Sequence, residues 1–229
     1  DGLPVWETTV WADNNNDLDQ LYWEVASDGF GGLVFGLDYT PFGELYQARV
    51  QRLAGNGSLQ WGATGTQVWS SLGDIVGVLP DAAGGAYVMN TIGWGVNRAQ
   101  HVDALGTPTW APDGILLSTL NTWPNPSEPS FCVNGSGGFY AVDGVTDLVA
   151  QQVDLAGNLL WGLDGLQITS LPGWQEHPHL TPDGFGGALI VYRDHYYSEV
   201  TDSHARALSA MRLDGFGTKL WESTGFWWT

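Results

Sequence analysis

The sequence predicts an all-β protein, a β-propeller built from four four-stranded repeats of about 50 residues plus one extra terminal strand. Two marks recur along the chain. The first is a turn followed by an apolar run, which begins at Asp28, Asp81, Asn134 and Asp183, at intervals of 53, 53 and 49 residues. The second is a glycine followed four residues later by a tryptophan: Gly2/Trp6, Gly57/Trp61, Gly106/Trp110, Gly157/Trp161 and Gly217/Trp221. Two sequence marks that recur in step with each other over the whole chain indicate a repeat protein.

Each repeat contains four strand-like pieces separated by glycine-rich turns. We predict one domain, 1–229, with repeats at 21–70, 71–120, 121–170 and 171–229, and with 1–20 as an extra outer strand and a polar loop. The predicted strands are 21–26, 32–37, 45–53 and 58–69 (bent or broken at 62–65); 75–79, 85–90, 98–103 and 107–117; 129–133, 138–142, 148–154 and 159–168; and 177–181, 187–192, 205–213 and 218–228. The stretch 203–211 has some helical character, but its place in the repeat favours a strand.

A single four-stranded sheet cannot bury both of its faces, whereas stacking one sheet on the next does so. The repeated tryptophans have large flat rings that suit a tapered space between blades. We therefore expect packing wedges between blades at Trp61, Trp110, Trp161 and Trp221.

Composition narrows the classes of partner. Seven Lys and Arg stand against 25 Asp and Glu, for a formal charge of −18. Binding to phosphate needs clustered cations, so nucleic acid and anionic membrane surfaces are disfavoured. No apolar run approaches the length of a membrane span. The lone Cys132 excludes an internal disulfide and is expected to be a small buried side chain.

The repeats also resemble a known group. The pattern D-G-x-G-G, then Q-x-V-D, then G-N-x-x-W, the last two parts of which lie at 151–161, is similar to the propeller-type repeats of large secreted bacterial surface proteins. The resemblance covers nearly the whole chain and implies an extracellular β-propeller without a catalytic site common to the family. The second repeat departs from the pattern, with Ala82 in place of the first glycine and Pro108 in place of a polar residue.

The two ends of the chain carry the same strand-like piece, at 1–11 and at 217–228. A spare strand, a cut from a longer propeller and a strand shared with a neighbouring subunit are three explanations of this duplication. An unpaired apolar edge recruits another strand. We expect a homo-oligomer formed through the terminal strands, with Trp6, Trp11, Trp227 and Trp228 at the contact.

A polar loop near the start has the spacing of a calcium site. Side chains at alternate positions of such a loop converge on the ion, and Ca²⁺ prefers hard oxygen ligands. The sixth position is Leu18, where the motif has glycine, and a solvated loop is the alternative interpretation. The predicted ligands are Asp13, Asn15, Asp17, Asp19 and Glu24.

Other polar residues are assigned structural roles. His177 and His179 have the spacing of a metal pair on one strand face, but no third ligand lies near them in sequence. Asp38, Asp143 and Asp194 follow predicted second strands, which suggests turn caps more than acid–base pairs. We find no sialidase-type Asp box and no G-x-S-x-G motif, and we therefore expect no enzyme activity.

Aromatic residues outside the repeat mark suggest a second kind of contact, because exposed rings stack on sugar faces. These are Trp11, Trp69, Trp94, Trp123, Trp174, Trp227 and Trp228, with Tyr196 and Tyr197. The sequence thus predicts a non-enzymatic extracellular propeller that acts in self-assembly or surface interaction. A carbohydrate-binding propeller is the alternative, and a glycan-cleaving propeller is a weaker one.

Overall fold

The computed structural model describes residues 7–8, 23–39, 47–69, 73–92, 96–117, 129–144, 146–198 and 203–226. These residues form sixteen β-strands in four antiparallel sheets and contain no helix. Each sheet is a meander in which strands adjacent in sequence are neighbours in the sheet. The predicted all-β class and the four four-stranded repeats are therefore confirmed, and 203–213 is a strand.

The strand bounds follow the predicted repeats closely. Sheet 1 consists of β1 (Trp23–Ser27), β2 (Leu33–Tyr39), β3 (Gln47–Leu53) and β4 (Thr66–Gln67). Sheet 2 consists of β5 (Asp74–Pro80), β6 (Ala86–Ile92), β7 (Val96–Val102) and β8 (Ile115–Leu116). Sheet 3 consists of β9 (Ser130–Val133), β10 (Phe139–Asp143), β11 (Val149–Val153) and β12 (Leu166–Gln167). Sheet 4 consists of β13 (Trp174–Pro182), β14 (Ala188–Ser198), β15 (Ser203–Leu213) and β16 (Lys219–Phe226).

The chain divides into two compact units. The first comprises Asp1–Gly93 with Asn97–Leu116, and the second comprises Trp94–Val96 with Leu117–Thr229. In the first unit β1 and β2 pack on β5, and in the second β9 and β10 pack on β13. Each unit thus contains two stacked sheets. The proposed extra strand and polar loop at 1–20 lie outside the described residues, except for Glu7 and Thr8.

The turn that opens each second strand is closed by a side chain. Asp28 Oδ1 accepts hydrogen bonds from the N–H groups of Phe30 and Gly32, both at 2.8 Å. The same two bonds recur at Asp81, Asn134 and Asp183. A Cβ at Gly32 would lie 2.1 Å from the carbonyl oxygen of Leu53, so this position accepts only glycine. The recurring D-x-x-G-G pattern therefore encodes a turn that its first residue holds closed.

The free oxygen of the turn carboxylate contacts the third strand of the same sheet. Arg52 donates to Asp28 Oδ2 at 3.0 and 3.1 Å, and Arg212 makes the equivalent pair with Asp183. In sheet 2 the arginine is replaced by His101, whose Nε2 lies 2.9 Å from Asp81 Oδ2.

The core of each unit lies between its two sheets. In the first unit, Val34, Val50 and Trp69 of sheet 1 meet Ile75 and Val88 of sheet 2. In the second unit, Val142 and Leu148 of sheet 3 meet Ile190, Tyr192 and Met211 of sheet 4. Cys132 is buried and unpaired, as predicted, and burial raises the pKa of its thiol to about 12.

Candidate functional site

Where the next sheet along the chain belongs to the same unit, the repeated tryptophan packs on that sheet. Trp61 of sheet 1 is only 5% exposed, and its indole N–H donates to the carbonyl of Ala104 in sheet 2 at 3.3 Å. A Cβ at Gly106 would lie 2.7 Å from Cγ of this ring. Trp161 of sheet 3 likewise lies against Gly217 of sheet 4. The tryptophan of one sheet therefore packs against the glycine of the same mark in the next sheet.

The other two repeat tryptophans, Trp110 and Trp221, are less buried than Trp61. Trp110 is half-buried, with its ring centroid 5.9 Å from that of Tyr87 and 6.0 Å from that of His101, both in its own sheet. Trp221 of sheet 4 is 44% exposed. Trp221 is thus accessible among the described residues, and the wedge expected at this position stays a prediction.

A second difference sets sheet 4 apart. In sheets 1 to 3 the outer strand has only two residues, because a glutamine side chain of the third strand bonds the backbone around the tryptophan. Gln51 accepts from the N–H of Trp61 at 2.9 Å and donates to the carbonyl of Gly62 at 2.7 Å. Gln100 and Gln151 repeat this pair of bonds.

Sheet 4 has Met211 at this repeat position, and a thioether cannot make the two bonds. The backbone of the outer strand pairs with β15 instead, with Arg212 opposite Trp221 and Met211 opposite Glu222. The result is an eight-residue strand, β16, at the edge of the sheet. Long exposed edge strands are available for pairing with another strand, whereas short ones are protected.

The edge and one side of sheet 4 are apolar and exposed. On β16, Leu220 is 49% exposed next to Trp221. On the opposite edge strand, β13, Trp174 is 59% exposed, and on the inner strands Val191 and Leu208 are also accessible. Isolated exposed apolar side chains are ordinary, but several on one sheet mark a contact surface. We refer to Trp174, Val191, Leu208, Leu220 and Trp221 as the sheet 4 surface.

A charged cluster lies beside Trp174. Register places Trp174 opposite His195 and Glu176 opposite Arg193, so these four side chains share one face. Arg193 Nε donates to Glu176 Oε1 at 2.9 Å, and His195 Nε2 lies 3.1 Å from the same oxygen, outside hydrogen-bond geometry. Burial lowers the pKa of His195, against the opposing pull of Glu176, so the ring is favoured in its neutral form.

The strand carrying this cluster is irregular. The register of β13 shifts between Glu176 and His179, and His177 has a φ of +50°, which is unfavourable for a residue with a Cβ. The shift breaks the alternation that would place His177 and His179 on one face. The described residues contain no group of three or more potential metal ligands among His, Cys, Asp and Glu.

The predicted calcium and assembly residues lie mostly outside the part of the chain that the structure describes. Of the predicted calcium ligands, Asp13, Asn15, Asp17 and Asp19 lie outside the described residues, and Glu24 is an exposed residue of β1. The predicted assembly residues Trp6, Trp11, Trp227 and Trp228 also lie outside them. Of the aromatic residues considered for sugar binding, Trp69 is buried in the core and Trp174 is exposed.

The three aspartates do not occupy one repeat position, contrary to the prediction. Asp38 lies within β2, Asp143 is the last residue of β10 and Asp194 lies within β14. Asp143 caps the N–H of Gly144 at 2.7 Å, as expected for a turn, and Asp194 accepts from Gln175.

Asp38 is fully buried in the first unit. Its Oδ2 accepts from the N–H of Ile75 at 2.8 Å, while Oδ1 has no hydrogen-bond partner. Burial raises the pKa of Asp38 to about 7, and the nearby Asp74 acts in the same direction.

Comparison with known proteins gives distant structural likenesses. The chain is similar to a PL25 polysaccharide lyase, an ulvan lyase, at 13% identity and a TM-score of 0.46 over 82% of this chain and 52% of that one. It is similar to a GH130 protein, from a family with glycoside hydrolases that target β-1,2 mannosidic linkages in Candida mannan, at 14% identity and a TM-score of 0.41 over 91% and 70%. An engineered GH43 glycoside hydrolase matches at 13% identity and a TM-score of 0.40 over 90% and 41%.

At these identities and TM-scores the likeness concerns the all-β, propeller-like fold and carries no argument about activity. The chain spans about half the length of the PL25 lyase. No family model matches the sequence, and no curated protein matches it.

Sequence reasoning missed the sheet 4 surface, although one signal was present. Met211 interrupts a column of glutamines at 51, 100 and 151. A change at a position with a repeated structural role predicts a local change in structure, here the long outer strand. The pairing of exposed Trp174 with partly buried His195 had no comparable signal, because the irregular register of β13 depends on packing.

Proposed function

We propose that this chain is a non-enzymatic, extracellular propeller-type domain that acts by self-association or by contact with a surface. The observation that carries the proposal is the sheet 4 surface together with the exposed edge of β16. Sheets 1 and 3 pack the repeat tryptophan on a following sheet, whereas Trp221 of sheet 4 is exposed. An exposed tryptophan on a strand with an accessible edge favours contact with another β-sheet.

Charge also supports a specific contact. Four of the seven basic residues lie in sheet 4, namely Arg193, Arg206, Arg212 and Lys219. Copies of a chain with a formal charge of −18 repel each other, so a contact is easiest where cations offset the local carboxylates, as Arg193 does for Glu176, Arg212 for Asp183 and Lys219 for Glu222. The extracellular location is supported by the resemblance to secreted surface proteins and by the acidic composition.

The test is sedimentation of the purified chain over a range of concentrations. We expect concentration-dependent association, weakened by Trp221→Asp and unchanged by the control Leu105→Asp, which alters an exposed leucine of sheet 2. Deleting residues 1–11, the predicted terminal strand, is expected to give a monomer. A wild-type chain that stays monomeric at high concentration would overturn the proposal.

Carbohydrate binding is a second candidate, favoured by Trp174. Its exposed ring lies beside Glu176, Arg193 and His195, and an aromatic face with neighbouring hydrogen-bonding groups suits a sugar ring. A glycan array probed with wild type and Trp174→Ala tests this candidate. Selective binding that the substitution abolishes would support it, and an array without specific binding would exclude it for the glycans present.

A further inference from the structure

A row of three side chains runs through sheet 2 from a buried carboxylate to an exposed hydroxyl. Asp81 Oδ2 lies 2.9 Å from Nε2 of His101, and Nδ1 of the same ring lies 2.8 Å from Oγ1 of Thr109. The side chains of Asp81 and His101 are buried, at 6% and 8% exposed, whereas Thr109 is an exposed residue. A hydroxyl within hydrogen-bond reach of a base, with a third group that orients the base, is the arrangement that activates a nucleophile.

The environment of Asp81 determines which ring nitrogen of His101 carries the proton. Burial acts to raise the pKa of Asp81, but hydrogen bonds from His101 and from the N–H groups of Ala83 and Gly85 lower it overall. The ionised carboxylate only accepts, so in the neutral ring Nε2 donates to Asp81 and Nδ1 is left as an acceptor. Thr109 can also donate to the carbonyl of His101, but at the longer distance of 3.2 Å. The ring is therefore placed to take the hydroxyl proton of Thr109.

The other three sheets lack this combination of base and hydroxyl. The place of His101 is held there by residues that are not bases at neutral pH: Arg52, Gln152 and Arg212. The place of Thr109, directly before the repeat tryptophan, is held by residues without a hydroxyl: Gln60, Leu160 and Leu220. The pair of Arg52 with Asp28 closes the turn of sheet 1, but arginine stays protonated and cannot accept a proton. Closing the turn thus requires neither the histidine nor the threonine of sheet 2.

The surroundings of the hydroxyl indicate which compounds it could react with. The rings of Tyr87 and Trp110 lie beside His101, at 4.9 and 6.0 Å between centroids. Trp110 follows Thr109 in the chain and is half-buried, so part of its ring is open to an aryl group. Assistance by a general base contributes about 10²–10⁴-fold to a rate, which suits a carbonyl compound with a good leaving group and not an amide. An activated aryl ester is therefore the class of ligand that fits.

We propose that Thr109 is a site of covalent acylation by activated esters, with His101 as the base and Asp81 as the group that orients it. Oγ1 of Thr109 attacks the carbonyl carbon, and the hydroxyl proton passes to Nδ1 of His101. The bond from that carbon to the leaving oxygen breaks, and the leaving oxygen takes the proton from Nδ1. The acyl group stays on Thr109 as an ester. One group is transferred per chain, so the proposal adds a modification site to the proposed function and is independent of self-association.

Acetylation with p-nitrophenyl acetate tests this site. Release of nitrophenol gives the rate, and mass spectrometry of peptides gives the position of the acetyl group. We expect one acetyl group per chain on Thr109, formed at least about 100-fold faster than in His101→Arg. His101→Arg is the matched variant, because arginine can pair with Asp81 as Arg52 pairs with Asp28. Its melting temperature shows whether the fold is retained.

Three hydroxyl variants complete the comparison. Thr109→Ser keeps a nucleophile and should retain the acetylation, whereas Thr109→Val should abolish it. Thr107→Val removes another exposed hydroxyl of the same segment and should leave the rate at the wild-type level. Acetylation of Thr109 no faster than that of Thr107, or an undiminished rate in His101→Arg, would overturn the proposal. Sedimentation of the wild-type chain is a separate measurement, so failure of this proposal and failure of self-association are distinguishable.

Discussion

Gln151 accepts a hydrogen bond from the backbone N–H of Trp161 at 3.0 Å and holds the tryptophan at the point where the outer strand is interrupted. The same side chain donates to the carbonyl of Gly162 at 2.6 Å. One buried glutamine thus replaces two rungs of the β-ladder in each of the first three sheets. This exchange determines which sheets have short, protected edges.

Substitution of this glutamine should destabilise the fold. Gln151→Ala leaves the N–H of Trp161 and the carbonyl of Gly162 without their partner, and each unsatisfied buried group costs about 1–3 kcal/mol. We expect a loss of about 2–4 kcal/mol in the free energy of unfolding, measured by denaturant titration. The exposed Gln60→Ala is the control, and equal effects of the two substitutions would contradict the role assigned to Gln151.

The two repeat tryptophans of the second unit should respond differently to truncation. Trp161→Ala removes a ring packed on Tyr140, at 5.6 Å between centroids, and on Gly217, and should cost about 3–5 kcal/mol. Trp221→Ala at low protein concentration should cost less, because the ring is 44% exposed. Melting temperatures of both variants measure this. An unchanged melting temperature for Trp161→Ala would show that its ring is not part of the core.

The turn of sheet 2 contains a strained alanine. Ala82 has a φ of +62°, where the other three turns have glycine with φ between +75° and +78°. Ala82→Gly should relieve this strain and stabilise the protein by about 0.5–1 kcal/mol, after the entropy cost of a new glycine. The neighbouring Ala83→Gly should gain nothing, since φ of Ala83 is not positive. Thermal unfolding of both variants provides the comparison, and a destabilised Ala82→Gly would contradict the prediction.

The buried Asp38 predicts a dependence of stability on pH. Burial raises its pKa to about 7 from an ordinary value of 3.8, so the folded state binds a proton that the unfolded state releases. The contribution of Asp38 is therefore fully present below about pH 4 and is lost as pH rises towards 7. Asp38→Asn should remove this loss and make the protein more stable than wild type at pH 8, by up to a few kcal/mol.

Denaturation curves of wild type and Asp38→Asn between pH 4 and pH 8 test this sign. Asp28, Asp81 and Asp183 act in the opposite direction and at lower pH. Burial acts to raise their pKa values, but hydrogen bonds from the turn N–H groups and from Arg52, His101 or Arg212 lower them overall. The difference between the two proteins isolates Asp38, and a constant difference across this range would refute the assignment.

The calcium hypothesis predicts a response to chelator. If Asp13, Asn15, Asp17, Asp19 and Glu24 bind Ca²⁺ in the folded state only, the ion stabilises that state and its removal lowers the melting temperature. Substituting Asp13 and Asp17 together by alanine should abolish the response. Identical melting curves with and without chelator would eliminate the site.

The sequence by itself determined the number and order of the strands and the turns between them. Glycines at fixed positions, the turn residues Asp28, Asp81, Asn134 and Asp183, and alternating strands act over a few residues, so their effect is readable locally. The column of glutamines that shortens the outer strands belongs to the same class, although its meaning became clear only from the hydrogen bonds.

Only the tertiary structure decided the environment of residues that share one sequence mark. Trp61 and Trp221 have identical spacing from their glycines, yet one is buried and the other accessible, because burial depends on a neighbouring sheet that the local sequence does not specify. Asp38 and Asp143 likewise follow similar apolar runs. Their positions differ by one residue in register, so Asp38 faces the buried layer between two sheets, whereas Asp143 lies at a turn.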